Sequence, residues 1–320
     1  MATPVLEIDN LRIEFPTRRG CLVAVDGVSF HIGPGEVLGV VGESGAGKSL
    51  TAGAVIGLLD PPGRIAGGQI RLGGTRINDW PEARLRRLRG ARIGTIFQDP
   101  LTSLNPLYTI GRQLTETIST HLDLDRRQTR DRAVALLDEV GIPAAARRFD
   151  DYPHQFSGGM RQRVVIALAL AANPELVIAD EPTTALDVSV QAQIIALLKR
   201  LCREHGAAVM LITHDMAVIA ETADRVVVMY AGRIAETGPV RAVIESSLHP
   251  YTAGLMGSIP AIGRRRDRLV QIDGAMPRID QRPTGCAFHS RCPRARARCR
   301  EAQPAPVRRG QSEAACWLYG

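Results

Sequence analysis

From Val5 to Phe15 the apolar residues fall at near-alternate positions (Val5, Leu6, Ile8, Leu11, Ile13, Phe15), the period of a strand with one face buried. Residues 23–41 hold two further strands, divided by the turn signal Gly33-Pro34-Gly35. The second of them, 36–41, runs directly into a glycine-rich loop, and 49–59 then reads as helix. Over 105–148 the period lengthens. Ala133, Val134, Leu136, Leu137 and Val140 share one helical face, with Asp131, Arg132, Asp138 and Glu139 on the other. This predicts a helical subdomain that ends at Tyr152-Pro153. A helix over 160–172 stops at Asn173-Pro174. Strand is predicted at 176–179, helix at 191–205, and strands at 208–213 and 225–230. Strands alternating with helices predict an α/β fold with a largely parallel sheet.

The chain has 320 residues, 45% of them hydrophobic and 23% charged, values that exclude disorder, collagen and coiled coil for the chain as a whole. The longest wholly apolar run, Val164 to Ala172, is nine residues, against the roughly 20 that a membrane span needs. The start M-A-T-P-V-L-E-I-D-N lacks the basic opening and apolar core of a secretory signal, so a cytosolic protein is expected. The net charge of +7 is unevenly placed: residues 260–320 carry 13 Arg against 5 acidic residues. Such a tail could meet nucleic acid or an anionic membrane; its plainer reading is a solvated arginine-rich surface. Only Lys48 and Lys199 are lysines among the 40 basic residues. A position that keeps lysine in so arginine-rich a chain suggests a compact ammonium where a planar guanidinium would not fit.

Lys48 lies in Gly42-Glu43-Ser44-Gly45-Ala46-Gly47-Lys48-Ser49, which matches G-x-x-x-x-G-K-[ST]. Glycines there let backbone N–H groups curl around phosphate oxygens, and the helix that follows adds its positive dipole end. Lys48 would reach the β- and γ-phosphates and Ser49 would hold Mg²⁺. The strand over 176–179 ends in Asp180-Glu181. Ligands sit beyond the carboxyl ends of such strands, so Asp180 is placed to hold Mg²⁺ through water and Glu181 to orient or deprotonate an attacking water. Ahead of that strand stands Phe156-Ser157-Gly158-Gly159-Met160-Arg161-Gln162-Arg163. Ser157 is a good helix cap, and the two glycines bare the N–H groups of a helix start. This second anion site suits a nucleotide held by a partner chain.

These elements, with Gln98 in I-F-Q-D-P, the A-L-D ending at Asp187 and His214 in L-I-T-H-D, occur in one order over residues 5–235. The sequence resembles the ATP-binding subunits of ABC transporters. The resemblance implies a P-loop cassette over 1–235: a RecA-like core with a β-subdomain and an inserted helical subdomain at about 99–158. It implies that two such subunits pack head to tail, each ATP lying between one phosphate loop (Gly42 to Ser49) and the other subunit's Ser157, Gly158 and Gly159, with Asp187 nearby. Gln98 is implied as a ligand of Mg²⁺ and water, His214 as a contact of the γ-phosphate, and Phe15 as the aromatic that stacks on adenine. Phe156 and Met160 depart from the commonest signature, Leu and Gln, while Ser157, Gly158 and Gly159 are kept.

Four of the six cysteines, Cys286, Cys292, Cys299 and Cys316, fall in the last 35 residues. Clustered cysteines in a cytosolic protein point to metal more than to disulfides. Their spacing is neither the short C-x2-C of most zinc sites nor that of the common ferredoxins, so the spacing leaves the metal open. Arg291, Arg294, Arg296, Arg298 and Arg300 are expected to favour thiolates. Cys21 and Cys202 read as ordinary core or surface residues. H-P-Y-T-A-G-L at 249–255 and P-T-G-C-A-F-H-S-R-C-P at 283–293 resemble the C-terminal extension of oligopeptide/dipeptide importer ATPases, shared by nickel and glutathione importers, here 236–320. That resemblance implies a [4Fe-4S] cluster on the four cysteines, with zinc or free thiols as the alternatives.

The function expected is therefore an ATP-hydrolysing subunit of a membrane importer, for di- or oligopeptides, or for nickel or glutathione. It would work with a second, related ATPase subunit, two integral permeases and an extracytoplasmic solute-binding protein, attached to the cytoplasmic face of the membrane through the permeases. The segment 98–106 would receive a permease's cytoplasmic helix, and no nucleic acid partner is expected. The rival class is a soluble DNA-acting ABC ATPase; such proteins interrupt the core with long coiled coils or zinc modules, and residues 50–156 hold no heptad run. A translation-factor ATPase would carry two cassettes, and this chain has one.

Overall fold

The computed structural model describes residues 3–18, 20–184, 186–258 and 271–320. Ala185 of the A-L-D run and Arg264, Arg265, Arg266 and Arg268 of the basic tail lie outside them. The chain divides into two compact units, each assembled from separated stretches.

One unit holds residues 6–31, 38–78 and 212–320. Its first sheet is antiparallel, in the order Gly20–Ile32, Leu6–Thr17, Arg64–Leu72, Thr75–Arg76. Leu6 and Ile8 are buried, and then Leu11 and Ile13, so the apolar phase slips from even to odd positions. The slip coincides with a register shift between Asp9 and Arg12. Asn10 sits there at φ 49°. The extra residue of a bulge changes which side chains face inward. The partner strand meets the bulge with Gly68, where a Cβ would lie 2.4 Å from the Asn10 carbonyl oxygen. Sequence pattern did not mark Arg64–Leu72 as strand, because Gly67 and Gly68 interrupt its alternation.

In the same unit the buried strand Val37–Val41 runs parallel to Arg225–Tyr230. From there the pairing becomes antiparallel: Arg233–Pro239, Ser312–Ala315 and Pro306–Arg309 follow in turn. The expected parallel pairing thus gives way to antiparallel strands beyond Arg225–Tyr230. The reason is local. Ala231 and Gly232 both take positive φ (46° and 79°), the two-residue hairpin turn that forces antiparallel neighbours. The strand Arg233–Pro239 spans residue 235, so the C-terminal extension adds its strands to an existing sheet edge.

The other unit is mainly residues 79–211. Ile93–Ile96 pairs in parallel with Leu176–Asp180, and the Ala208 N–H donates to the Glu175 carbonyl at 2.9 Å. Its longer helices are Ile110–His121, Arg126–Glu139, Gly158–Leu170 and Val188–Glu204. The second starts at a capping box in which Asp125 and Gln128 satisfy each other's backbone N–H. Its buried face is Thr129, Ala133, Leu136 and Leu137, close to the face read from the sequence. No helix among the described residues is long and apolar enough to cross a membrane.

A buried polar chain fixes the start of the extension. Glu236, fully buried, accepts the N–H groups of Leu248 and His249 at 2.9 and 2.8 Å. His249 Nδ1 accepts from the Tyr251 N–H at 3.1 Å and caps the helix Pro250–Gly257. Burial pushes the His249 imidazole down to about 4 from its ordinary 6.5. An imidazole kept neutral in the fold but free to protonate when unfolded favours the unfolded chain as pH falls from 6.5 to 4; above 6.5 its contribution is complete. Burial raises the Glu236 carboxyl, which works in the opposite sense, so the contrast with a variant isolates His249. His249→Asn, which can cap without titrating, should lose less melting temperature than the wild type between about pH 7.5 and about pH 5.5. Equal losses in paired thermal melts would remove His249 from the acid response.

Candidate functional site

In the unit that contains Val37–Val41, that strand delivers the chain into the loop 42–47, and the helix Lys48–Ile56 begins at once. The turn is possible because Gly45 and Gly47 take φ of 82° and 98°, which L side chains resist. Gly42 is needed for closeness: a Cβ there would stand 2.3 Å from the Met229 carbonyl oxygen. Gly47 is the N-cap and no side chain caps the helix, so its head presents the positive end of the helix dipole, which suits an anion. Lys48 is 5% exposed, and its ammonium donates to the carbonyls of Gly42 and Glu43 at 2.8 and 3.1 Å. Ser44, Gly45 and Ser49 face solvent and Ala46 is buried; the Ala46 carbonyl accepts from the Gly232 N–H at 2.9 Å.

Two side chains from the extension reach this loop. The Tyr251 hydroxyl accepts from the Glu43 N–H at 2.9 Å. Arg291 donates from one nitrogen to both oxygens of the Glu43 carboxylate at 3.0 Å. The sequence reading gave neither a role. H-P-Y marked a resemblance only, and Arg291 stood undistinguished in an arginine-rich run. Elsewhere in the same unit, Phe15 is half-buried with its ring close to Gly63, and His214 is exposed just before the helix Met216–Thr222, which Asp215 caps.

In the other unit Asp180 ends the strand Leu176–Asp180. Glu181 follows at φ 46°, a left-handed conformation that costs a non-glycine residue energy and is often found at working sites. Its carboxylate is gripped from two sides: Gln98 Nε2 donates at 3.0 Å and the Thr184 hydroxyl at 3.1 Å. The structure thus brings Gln98 and Glu181 together, as expected of residues that handle one water. Thr184 was not singled out from the sequence. A held carboxylate can orient and deprotonate a water.

Ser157 caps the helix Gly158–Leu170, accepting from the Met160 N–H at 3.3 Å. Gly158 is exposed and Gly159 half-buried; a Cβ on Gly159 would come 2.9 Å from Val190. Phe156 is buried, so the change from leucine is absorbed by packing. Asp187 caps Val188–Glu204, accepting from the Val190 N–H at 3.0 Å and the Ser189 hydroxyl at 2.7 Å. The Ser189 hydroxyl first, and the Val190 N–H next, hold its carboxyl below the ordinary range.

Cys286, Cys292, Cys299 and Cys316 are close enough to act on one another's charge. Among the described residues no three His, Cys, Asp or Glu side chains could hold one metal ion, as the tetrahedral zinc site requires. The expected thiolate-favouring effect of the arginines is present but outweighed by burial. Burial, reinforced by the neighbouring thiols, pushes Cys286 up to about 11 and also raises Cys292 and Cys316. Arg294 and Arg296 pull Cys292 and Cys316 down, by less. Arg291 is engaged with Glu43 instead. Cys202 is buried and its thiol is pushed up to about 12 by that burial, while Cys21 is exposed beside Glu14.

A buried strand, a left-handed glycine turn and a helix headed by a buried lysine define a nucleotide-binding protein of the phosphate-loop class. The ABC transporter family matches residues 25–184, and the oligopeptide/dipeptide transporter C-terminal region matches 235–299. The dipeptide transport ATP-binding protein DppD of Escherichia coli (strain K12) is 46% identical over 94% of this chain and 92% of its own length. The oligopeptide transport ATP-binding protein AppD of Bacillus subtilis (strain 168) is 45% identical over 98% of this chain and 97% of its own. The solved dimeric structure of a bacterial ABC transporter cassette superposes with a TM-score of 0.65 at 29% identity, covering 74% of this chain and 99% of that one. The chain belongs to the ABC transporter ATP-binding family, in its oligopeptide/dipeptide group, and is an ATPase of that family.

The Ser157 cap carries a prediction about local stability. Ser157→Ala should lower unfolding stability by about 1 kcal/mol, the usual worth of an N-cap, measured by urea denaturation. An unchanged midpoint and slope would mean that the helix does not use the cap.

Proposed function

We propose that this chain is the ATP-binding and ATP-hydrolysing subunit of an importer for di- or oligopeptides. The observation that carries the reading is the buried Lys48 at the head of an uncapped helix, entered through left-handed glycines. In this reading the N–H groups and Lys48 of the loop Gly42, Glu43, Ser44, Gly45, Ala46, Gly47, Lys48 and Ser49 take the phosphates. Lys48 exchanges its loop carbonyls for phosphate oxygens, and Phe15 stacks on adenine. Mg²⁺, held by Ser49, Gln98 and Asp180, would offset the charge that develops on the phosphate oxygens. Glu181, held by Gln98 and Thr184, orients the attacking water and takes its proton; His214 contacts the γ-phosphate. Ser157, Gly158, Gly159 and Asp187 face the nucleotide of a second ATPase subunit, a related but different chain. The solved dimeric cassettes support pairing, one of them being bound to ADP and Pi.

The motion of closing and opening would drive two integral permease subunits, fed by a solute-binding protein, with this chain attached peripherally at the cytoplasmic face of the membrane. DppD and AppD, named for dipeptide and oligopeptide transport, favour peptide over nickel or glutathione and over a DNA-acting ATPase. The boundaries in this reading are a cassette over 1–235, with its helical subdomain near 99–158, and an extension over 236–320. Two variants test the chemistry. Lys48→Ala should abolish hydrolysis, and Glu181→Gln should still bind ATP while losing at least about 100-fold in turnover, the scale of a missing general base. Full turnover in either variant would end the assignment of that residue.

Within the extension, Cys286, Cys292, Cys299 and Cys316 are read as the ligands of a [4Fe-4S] cluster. Four mutually interacting thiols are a soft donor set suited to iron–sulfur chemistry, and such a cluster would stabilise the thiolates that burial disfavours. Anaerobically purified protein should then hold about four iron and four acid-labile sulfide per chain, and Cys299→Ser should lose them. Zinc in place of iron, or neither, would overturn this reading.

A further inference from the structure

The phosphate loop is held from outside by the C-terminal extension, through a contact that no phosphate-binding role requires. Arg291 is 6% exposed at its side chain and pairs with Glu43, which is 28% exposed. The guanidinium spends its other donors on backbone: Asp273 O at 2.9 Å, Ile272 O at 3.2 Å and Gly274 O at 3.2 Å. It is anchored in the extension whether or not Glu43 answers it. Tyr251 acts on the same residue from another side, accepting the Glu43 N–H. Its ring lies in a cluster with Tyr230 and Phe288, centroids 4.7 and 5.3 Å away. The helix that carries it is tied down by His249 and Glu236. Glu43 is thus gripped at its main chain by one anchored group and at its carboxylate by another. Its N–H points at Tyr251, and its carbonyl accepts from Lys48.

We propose that Arg291 and Tyr251 are positioning residues for ATP: by fixing Glu43 they hold the loop, and with it Lys48, in the shape that receives phosphate. This rests on the reading of 42–49 as the ATP phosphate loop. A loop so held binds ATP without first being ordered, so loss of the hold appears in affinity more than in the chemical step.

The test uses the full chain, a fluorescent ATP analogue for Kd, and steady-state hydrolysis for KM and kcat. Arg291→Ala and Glu43→Gln should each weaken nucleotide binding about fivefold, with KM rising in step and kcat moving less. The double variant should be no weaker than the single ones, because both remove the same contact. Arg291→Lys, which keeps the charge without the fork, should recover part of the loss, and Tyr251→Phe should weaken binding independently of Arg291. Unchanged Kd in both single variants, losses that multiply in the double variant, or a fall in kcat equal to the rise in KM would overturn the proposal. If Arg291→Ala does not fold, Glu43→Gln decides by the same criteria, since Arg291 keeps its backbone partners. Absence of saturable ATP binding by the wild type would sink the ATPase reading itself. Normal wild-type binding with unaffected variants would sink the positioning role alone.

Discussion

The chemistry of this protein depends on one backbone constraint: a strand must turn within six residues into a helix whose head no side chain caps. Ordinary residues would cap that helix or refuse the dihedrals. Gly45 and Gly47 accept positive φ, and no side chain caps the helix that follows. Lys48 then begins the helix with its ammonium buried. A buried cation must be solvated by something, and here the loop's own carbonyls serve. The same carbonyls therefore set the loop's curvature and stabilise the charge it needs. That double use explains why a lysine stands here in a chain that otherwise prefers arginine: a single point charge can turn between carbonyl and phosphate partners, where a rigid fork could not.

Glu181 shows a related economy. Its left-handed φ is costly, but Gln98 and Thr184 both bind one of its carboxylate oxygens and hold the residue where the strand Leu176–Asp180 ends. Strain fixed by side-chain hydrogen bonds gives a carboxylate one orientation instead of several. At the signature, Ser157 and Asp187 each cap a helix within the chain, while Gly158 keeps its exposed position. Helix caps and exposed helix starts are compatible, because a cap satisfies only one or two of the four open N–H groups.

Much of this is legible in the amino-acid sequence. The loop, the strand before it and the helix after it are a short local pattern, and local patterns survive in sequence. Gln98, from the resemblance, and Glu181, from its place after a strand, are each expected to handle water; that they bond to each other shows only in the fold. What the sequence hid has physical reasons. Arg64–Leu72 is a strand stabilised by its neighbour and interrupted by Gly67 and Gly68, so it carries no clean period. The bulge at Asn10 appears only as a slip in phase between Ile8 and Leu11, which can also be read as noise. The arginines act on the cysteines in the expected direction, but burial, which opposes thiolates and leaves no mark in composition, outweighs them. Arg291 was hidden for another reason: nothing in a run of five arginines says which one points inward, and its partner lies 248 residues away.

The energetics of that distant pair argue for a role in shape over a role in stability. A buried ion pair recovers in Coulomb attraction about what it loses in hydration, so it is weak ground for fold stability. Arg291 and Glu43 are also unequal. The arginine is nearly closed off and has three carbonyls to satisfy it, while the glutamate is partly exposed and could be hydrated instead. The extension would keep its guanidinium in place without the loop. Among the described residues of the extension, Tyr251 and Arg291 are the side chains that bond to Glu43. The constraint therefore runs in one direction, from an anchored extension to a glycine-containing loop, and it acts on the residue whose carbonyl holds Lys48.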